Sequence, residues 1–344
     1  MSSHAPLVSI VIPMYNQRHD FLRATVASVL AQTYPNFECV VSDNHSTNGA
    51  GEVLASFSDT RLRVVRPETH VPLVPSFQFV GTQARGEFIS FLPSDDLVEP
   101  DWIESLLPPL LKEPQAVFAF GEVAGVNFEN PSDILYHCRN NEMASGHYSI
   151  PDMLRLLVPF NRNAGWLVGD LMRIEAYRAA GGIAADGLRY AADHSLALRL
   201  LELGSAVYLN KLVGRHRCWG HGEGKADGNR SYAAVSDTLR LYEILESSAA
   251  LRPHLAGIGP EIARAKKKKA AILSLLVMEA MSMGILEKDK FKETRDRILS
   301  LDNSHTTRSL LALAGSPAAT LVGVVRKPAR KLYHATLGPM LNRS

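Results

Sequence analysis

Cysteine is scarce in this chain: three in 344 residues, Cys39, Cys138 and Cys218, far apart and odd in number. That excludes a disulfide framework and points to a reducing compartment, the cytosol. No secretory leader is expected, because the first eight residues carry no basic segment ahead of an apolar stretch. The longest uncharged run in the tail, 309–325, is broken by Gly315 and Pro317. It falls short of the ~20 mostly apolar residues that span a bilayer. Neither a GxGxxG nor a Walker A pattern opens the first helix, which argues against dinucleotide and P-loop chemistry. Acidic residues also stop early, with none after Asp302.

What is present is an ordinary globular mixture, 46% hydrophobic and 21% charged. It excludes disordered, collagenous and coiled-coil classes. At about 100–200 residues per domain, the length suggests two domains, or one large domain with an extension. The net charge of +2 conceals an asymmetry: residues 261–344 carry +9 and residues 1–260 carry −7. A basic tail on a mildly acidic body bears on partners.

Short apolar runs alternate with helical stretches from the start. Residues 7–12, Leu-Val-Ser-Ile-Val-Ile, form a near-continuous β-rich run, as a strand buried on both faces should. Over 20–33, Phe21, Leu22, Val26, Val29 and Leu30 recur at helical spacing. Strands are predicted at 37–41, 62–65 and 88–92, with helices near 50–57 and 76–84. The alternation predicts βαβ units and a mostly parallel sheet. Further strands are expected at 116–120 and 206–209, and helices at 151–158, 174–180 and 192–203. Gly181-Gly182 ends the second of these helices. From about 231 the pattern is helical to residue 300.

In such sheets ligands bind beyond the carboxyl ends of the strands. The loops there carry Pro13-Met-Tyr-Asn16, Ser42-Asp-Asn-His-Ser-Thr47 and Pro93-Ser-Asp-Asp96. Together with Val8-Ser-Ile-Val-Ile12, Ser28-Val-Leu-Ala-Gln-Thr-Tyr34 and Ala84-Arg-Gly-Glu-Phe-Ile-Ser-Phe-Leu92, these segments resemble the family 2 glycosyltransferases of the GT-A type. The resemblance continues through Gly169-Asp-Leu-Met-Arg-Ile-Glu-Ala-Tyr177, Gly181-Gly-Ile183, Asp193 and Leu198-Arg199, so it covers about residues 7–220. It implies an α/β GT-A-like fold, with a mostly parallel Rossmann-like sheet flanked by helices. Residues 1–125 would be the nucleotide-sugar-binding half, 126–230 the acceptor-binding and catalytic half, and 231–344 a helical basic extension. The implied activity is inverting transfer of a sugar from a nucleotide-sugar donor, in the first place a UDP-sugar. The acceptor would be a glycan or a lipid-linked acceptor of polysaccharide or cell-envelope synthesis, and Mg²⁺ or Mn²⁺ would assist.

The resemblance also assigns residues. Asp43 accepts a hydrogen bond from the nucleotide base, Tyr15 lies against the base, and Pro13 and Asn16 belong to the same donor loop. Asp96 goes mainly to metal and Asp95 to ribose or metal. The chemistry agrees, since a departing diphosphate gathers negative charge. Mg²⁺ and Mn²⁺ take hard oxygens from one or two carboxylates plus phosphates. Pro93 stands where the family often has an acid, which removes one possible ligand. Structural alternatives exist: Ser94 to Asp96 as a helix cap, Asp43-Asn44 as turn formers, Tyr15 as a core aromatic. The catalytic base would be Asp193, in Tyr190-Ala-Ala-Asp193-His194, with Ala192 where the family often has a first acid. An acid in the first turn of a helix also has a purely electrostatic explanation. Arg215-His-Arg217 fills the place of an Arg/His motif that meets the diphosphate. Trp166 and Trp219 offer platforms for an acceptor ring.

Two rival readings stay open. One is an inactive relative that binds nucleotide or scaffolds a polysaccharide complex, favoured by Ala192 and Pro93. The other is a nucleotidyltransferase, disfavoured by the missing Gly-rich, Arg/Lys-bearing loop after the first strand. The Lys266–Lys269 run lacks interleaved aromatics, so no nucleic acid partner is expected. The tail sets Arg308, Arg326, Lys327, Arg330, Lys331 and Arg343 among leucines and valines. It reads as a segment lying on an anionic membrane surface, which places a cytoplasmic protein on the inner face of the cell membrane. The alternative is a helical subdomain that packs its leucines inward.

Overall fold

The computed structural model describes residues 5–137, 143–158, 167–218, 229–282, 284 and 286–316. Strand β1 (Val8–Met14) is buried along its whole length. It pairs in parallel with β2 (Phe37–Asp43) on one side and β4 (Phe88–Phe91) on the other, and β2 carries β3 (Leu62–Val65) at the edge. Helices α1 (His19–Leu30), α2 (Ala50–Ala55) and α3 (Leu73–Thr82) connect these strands. Helix α3 begins sooner than residue 76, at Leu73. Pro75 then falls in its first turn, where a backbone N–H has no helical partner to lose.

The chain continues through β5 (Leu97–Val98), α4 (Trp102–Lys112), β6 (Ala116–Asn127), β7 (Ile134–His137), β8 (Gly146–Tyr148) and α5 (Ile150–Leu157). Strand β9 (Asp170–Arg173), α6 (Ile174–Ala179), α7 (Ala192–Leu201) and β10 (Ser205–Cys218) follow. The strand order is β3-β2-β1-β4-β9-β6-β10-β5, with β7 beside β6 and β8 beside β10. The β3-β2-β1-β4 and β6-β10 pairings are parallel, and β9 joins the two groups by running antiparallel to β4 and β6. Strands β6 and β10 extend well past 120 and 209. Their later stretches carry Glu122, Arg215 and His216, which ladder pairing retains in strand form.

One core packs Val8, Ile10 and Ile12 with Leu22, Val26 and Val29 of α1 and with Trp102, Leu106 and Leu110 of α4. Each such side chain contributes about 1.5–3 kcal/mol relative to exposure. That burial holds the sheet rigid while its loop ends stay polar.

The described residues divide into two compact units, one within Met1–Leu154 and Phe160–Trp219, the other within Arg155–Pro159 and Gly220–Ser344. The second contains α8 (Asn229–Ser247), α9 (Arg252–Ala256), α10 (Gly259–Ser282), α11 (Lys288–Leu301) and α12 (His305–Ala314). Its core includes Val235, Leu239, Leu273, Val277, Ile298, Leu311 and Ala314. Leu311 therefore packs inward, as a helical subdomain requires. The lysine run lies on α10 and is not a single solvated strip. Lys269 is buried, which pulls its ammonium down to about 8, and Lys266 pairs with Glu246. Among the described residues no helix is long and apolar enough to cross a membrane.

Candidate active site

The loops beyond β1 and β2 are laced together by short polar bonds. Pro13 and Met14 end β1 opposite Ser42 and Asp43 of β2. Asn16 takes a left-handed backbone with φ +47°, a conformation that asparagine tolerates better than most residues. Its Oδ1 accepts from the Thr47 N–H at 2.7 Å, and its own N–H donates to Ser46 Oγ at 2.9 Å. Asp43 is buried. Its Oδ1 accepts from the Ser46 N–H at 2.8 Å, and its Oδ2 pairs with Arg66. Burial works to raise the Asp43 carboxyl, but Arg66 and Ser46 outweigh it and hold the group below its ordinary range. The turn bond thus uses one oxygen of Asp43 and the Arg66 pair the other.

Tyr15 is 45% exposed, so it is not a core aromatic. Its ring lies 4.5 Å from that of His70, tilted by 51°. His70 Nδ1 is 3.0 Å from the Asn44 carbonyl oxygen. Tyr15, Asp43, Arg66 and His70 therefore gather at the carboxyl ends of β1, β2 and β3 as two tilted rings beside a hydrogen-bonding edge, a combination that suits a heterocyclic base.

Pro93 to Asp96 form a turn, closed by the Asp96 N–H on the Pro93 carbonyl at 3.1 Å. Thr25 of α1 supports it by donating to the Asp96 carbonyl at 2.8 Å. The turn leads into strand β5 rather than a helix, so Ser94, Asp95 and Asp96 cap nothing. Asp95 is partly exposed and Asp96 is 1% exposed. Asp96 Oδ1 accepts from the Arg217 N–H at 2.8 Å, and His216 Nδ1 stands 3.2 Å from Oδ2. The Asp96 charge lifts the His216 imidazole to about 9, against a smaller burial effect. Arg217 donates to the Phe128 carbonyl at 2.9 Å and lies 4.4 Å from the centre of the Phe21 ring.

Among the described residues, no three His, Cys, Asp or Glu side chains converge as a metal cluster. Two adjacent carboxylates still fit Mg²⁺ or Mn²⁺ when substrate phosphates complete the coordination. A carboxylate has about four lone-pair positions, so Asp96 keeps capacity beyond its two bonds.

Asp193 sits in the first turn of α7. Its Oδ1 accepts from the His194 N–H at 2.8 Å and lies 3.1 Å from His194 Nδ1. Burial works to raise this carboxyl, but the electrostatic and hydrogen-bonding contribution of His194 outweighs it and holds the group low. Asp193 lines a pocket with Asp170, Phe118, Met172, Leu196 and Ala197. Asp170 is buried and accepts from Ser90 Oγ at 3.0 Å. Because β9 is antiparallel to β4, its first residue, Asp170, stands at the carboxyl end of β4. Asp186 is committed elsewhere: its Oδ2 takes Arg199 Nε at 2.7 Å and the Ser195 hydroxyl.

Arg66, His70 and Asn44 were not singled out as site residues by sequence, whereas Asp170 and Asp186 stood behind Asp193 as the next candidates for the base. Arg66 directly follows β3, so the strand-end rule extended to that strand would have found it. Trp166 and Trp219 lie outside the described residues.

The sequence model of Glycosyl transferase family 2 matches residues 9–167. Among curated proteins, the chain is 30% identical over 162 residues to the UDP-Glc:alpha-D-GlcNAc-diphosphoundecaprenol beta-1,3-glucosyltransferase WfgD of Escherichia coli, covering 45% of this chain and 63% of that one. The chain spans less than two thirds of the length of the curated relatives it matches first. Among solved structures, S. aureus TarS 1–349 in complex with UDP-GlcNAc aligns with a TM-score of 0.60 at 14% identity, covering 94% of this chain and 91% of that one. The mannosyltransferase PcManGT of Pyrobaculum calidifontis, in complex with GDP-Man and Mn²⁺, aligns with a TM-score of 0.54 at 17% identity, covering 93% and 87%. At these identities the likeness is one of fold, and the fold is GT-A.

Proposed function

We propose that the protein is an inverting glycosyltransferase that moves a sugar from a UDP-sugar to a glycan or lipid-linked acceptor, assisted by Mg²⁺ or Mn²⁺. The observation that carries this reading is the grouping at one end of the sheet. Tyr15, Asp43, Arg66 and His70 form a base wall, Asp95 and Asp96 follow β4, and a pocket holds Asp170 and Asp193. Relatives support the details. WfgD is named for a UDP-Glc donor and a diphosphoundecaprenol acceptor, TarS is solved with UDP-GlcNAc, and PcManGT with Mn²⁺.

In this reading Asp43 accepts the N–H of a uracil ring, and the half-exposed Arg66 turns from Asp43 toward a ring carbonyl. Tyr15 covers one face of the base. Asp95 and Asp96 would hold the cation, which supplies positive charge to the departing diphosphate. The His216 imidazolium adds charge beside Asp96. Asp193 takes the proton of the acceptor hydroxyl as that oxygen bonds to the anomeric carbon and the carbon–phosphate oxygen bond breaks. Attack from the face opposite the phosphate inverts the anomeric centre. A screen of UDP-, GDP- and dTDP-sugars with and without Mn²⁺ tests the reading by thermal stabilisation and UDP release. If no nucleotide sugar stabilises the chain, the base wall is not a donor site.

The engagement of Asp96 by Arg217 and His216, which competes with a cation for its oxygens, favours a second reading, a nucleotide-binding protein without turnover. Donor stabilisation with no product from any acceptor would select it.

A further inference from the structure

The segment from Arg66 to Val71 crosses from β3 to α3 without regular structure of its own. Four of its residues are nonetheless tied, and their polar contacts run to three consecutive residues, Asp43 at the end of β2 and Asn44 and His45 just beyond it. Arg66 pairs with Asp43. The Pro67 carbonyl oxygen lies 3.0 Å from His45 Nε2. His70 meets the Asn44 carbonyl oxygen. Val71 is bracketed by the Asn44 side chain: Nδ2 donates to the Val71 carbonyl at 2.7 Å, and Oδ1 accepts the Val71 N–H at 2.9 Å. Asn44 is 3% exposed, and its own N–H donates to the Met14 carbonyl at 2.8 Å. A side-chain amide offers one donor and one acceptor side by side to the C=O and N–H of a single residue.

We infer that Asn44 is a positioning residue for the nucleoside: by clamping Val71 it holds Arg66 and His70 in register with Asp43 and Tyr15 as one wall. The inference rests on the donor reading above. Without the clamp, the nucleotide itself must order the segment, and affinity falls by that cost. The loss concerns the base, since the diphosphate end of the donor lies with Asp95 and Asp96.

The test uses the full chain, with UDP and inorganic pyrophosphate as probes in Mn²⁺ buffer, by isothermal titration calorimetry. Asn44→Ala removes the clamp. Asn44→Asp keeps its size and its acceptor but turns a second oxygen toward the Val71 carbonyl. Both are expected to raise the UDP Kd by about tenfold or more and to leave pyrophosphate binding unchanged. KM for the donor rises while kcat at saturating donor holds. The control is Gln32→Ala, because Gln32 brackets the Glu99 carbonyl at 2.7 Å and the Ile103 N–H at 3.2 Å in the same manner. It is expected to lower Tm and leave the UDP Kd alone. An unchanged UDP Kd in either folded Asn44 variant, or an equal loss for pyrophosphate, overturns the inference. A wild-type chain that binds no UDP overturns the donor reading and this inference with it.

Discussion

Replacing Asp193 by asparagine removes the charge proposed to accept the acceptor proton while preserving the shape of the group. Oδ1 already takes both bonds from His194, and among the described residues none falls on Oδ2. Asparagine keeps the first function through its own Oδ1 and loses the second. A positioned general base contributes about 10²–10⁴-fold. At 1.36 kcal/mol per tenfold, that is about 2.7–5.4 kcal/mol of transition-state stabilisation. The stability change is far smaller, because the backbone bond from His194 survives. Steady-state UDP release in the presence of an acceptor measures kcat, and calorimetry with UDP measures donor binding. The expected result is a kcat lower by about 10²-fold or more, with the UDP Kd unchanged and Tm within a few degrees. Turnover near wild type would refute the assignment and move the base to Asp170, which lines the same pocket.

Asp95→Ala is expected to abolish Mn²⁺-dependent donor stabilisation with the fold intact, whereas Asp96→Ala does the same and also costs about 1–3 kcal/mol, because the buried Arg217 N–H loses its acceptor. Retained Mn²⁺-dependent stabilisation in both variants removes the metal assignment. The Asp43 carboxyl is held low in the folded state, so its stabilising contribution is complete above its unfolded pKa of about 3.9 and fades as pH falls through the folded value. Acid titration of stability in Asp43→Asn should therefore show a shallower loss than wild type below about pH 4; equal slopes refute the pairing with Arg66. Gly182 has φ +73°, and an added Cβ would lie 2.3 Å from Gln78 Oε1, so Gly182→Ala is expected to cost about 1–2 kcal/mol, read as a lower denaturant midpoint.

The strands that expose their character in sequence are those buried on both faces. Residues 7–12 and 37–41 are apolar enough to be recognised without a partner, and the structure places β1 and β2 there, whereas β3 at 62–65 is a partly exposed edge strand. Strand β10 was legible only at its beginning, since Arg215 and His216 are held by ladder pairing to β6 and β5 rather than by apolar burial. The site followed the same division. Asp43, Asp96 and Asn16 follow parallel strands, where the strand-end rule applies, and the fold gathers them there. What sequence could not supply was the partner of each acid. Arg66 is 23 residues from Asp43, and His216 is 120 residues from Asp96. Such pairings arise only when the sheet order is known, and they decide whether each carboxylate is open or already satisfied.

The basic tail divides at α12, and that division determines how membrane attachment should be tested. Leu311 and Ala314 are buried in the helical core with Leu273 and Val277 of α10. A chain ending at Asn303 would strip α12 from that core and expose apolar surface, so a change in its membrane binding would mean little. A chain ending at Ser316 keeps α12 and removes residues 317–344, which lie outside the described residues and carry Arg326, Lys327, Arg330, Lys331 and Arg343 with no acid. Each basic residue near an anionic leaflet contributes roughly 1 kcal/mol. Five together supply reversible attachment that fades at high salt, as the Debye length shrinks to about 3 Å at 1 M. Flotation with phosphatidylserine-containing liposomes is expected to carry the full chain upward at low salt. At 1 M salt the full chain stays behind, and the shortened chain stays behind under both conditions. If the two chains partition equally at low salt, the segment beyond Ser316 does not hold the protein at an anionic membrane surface.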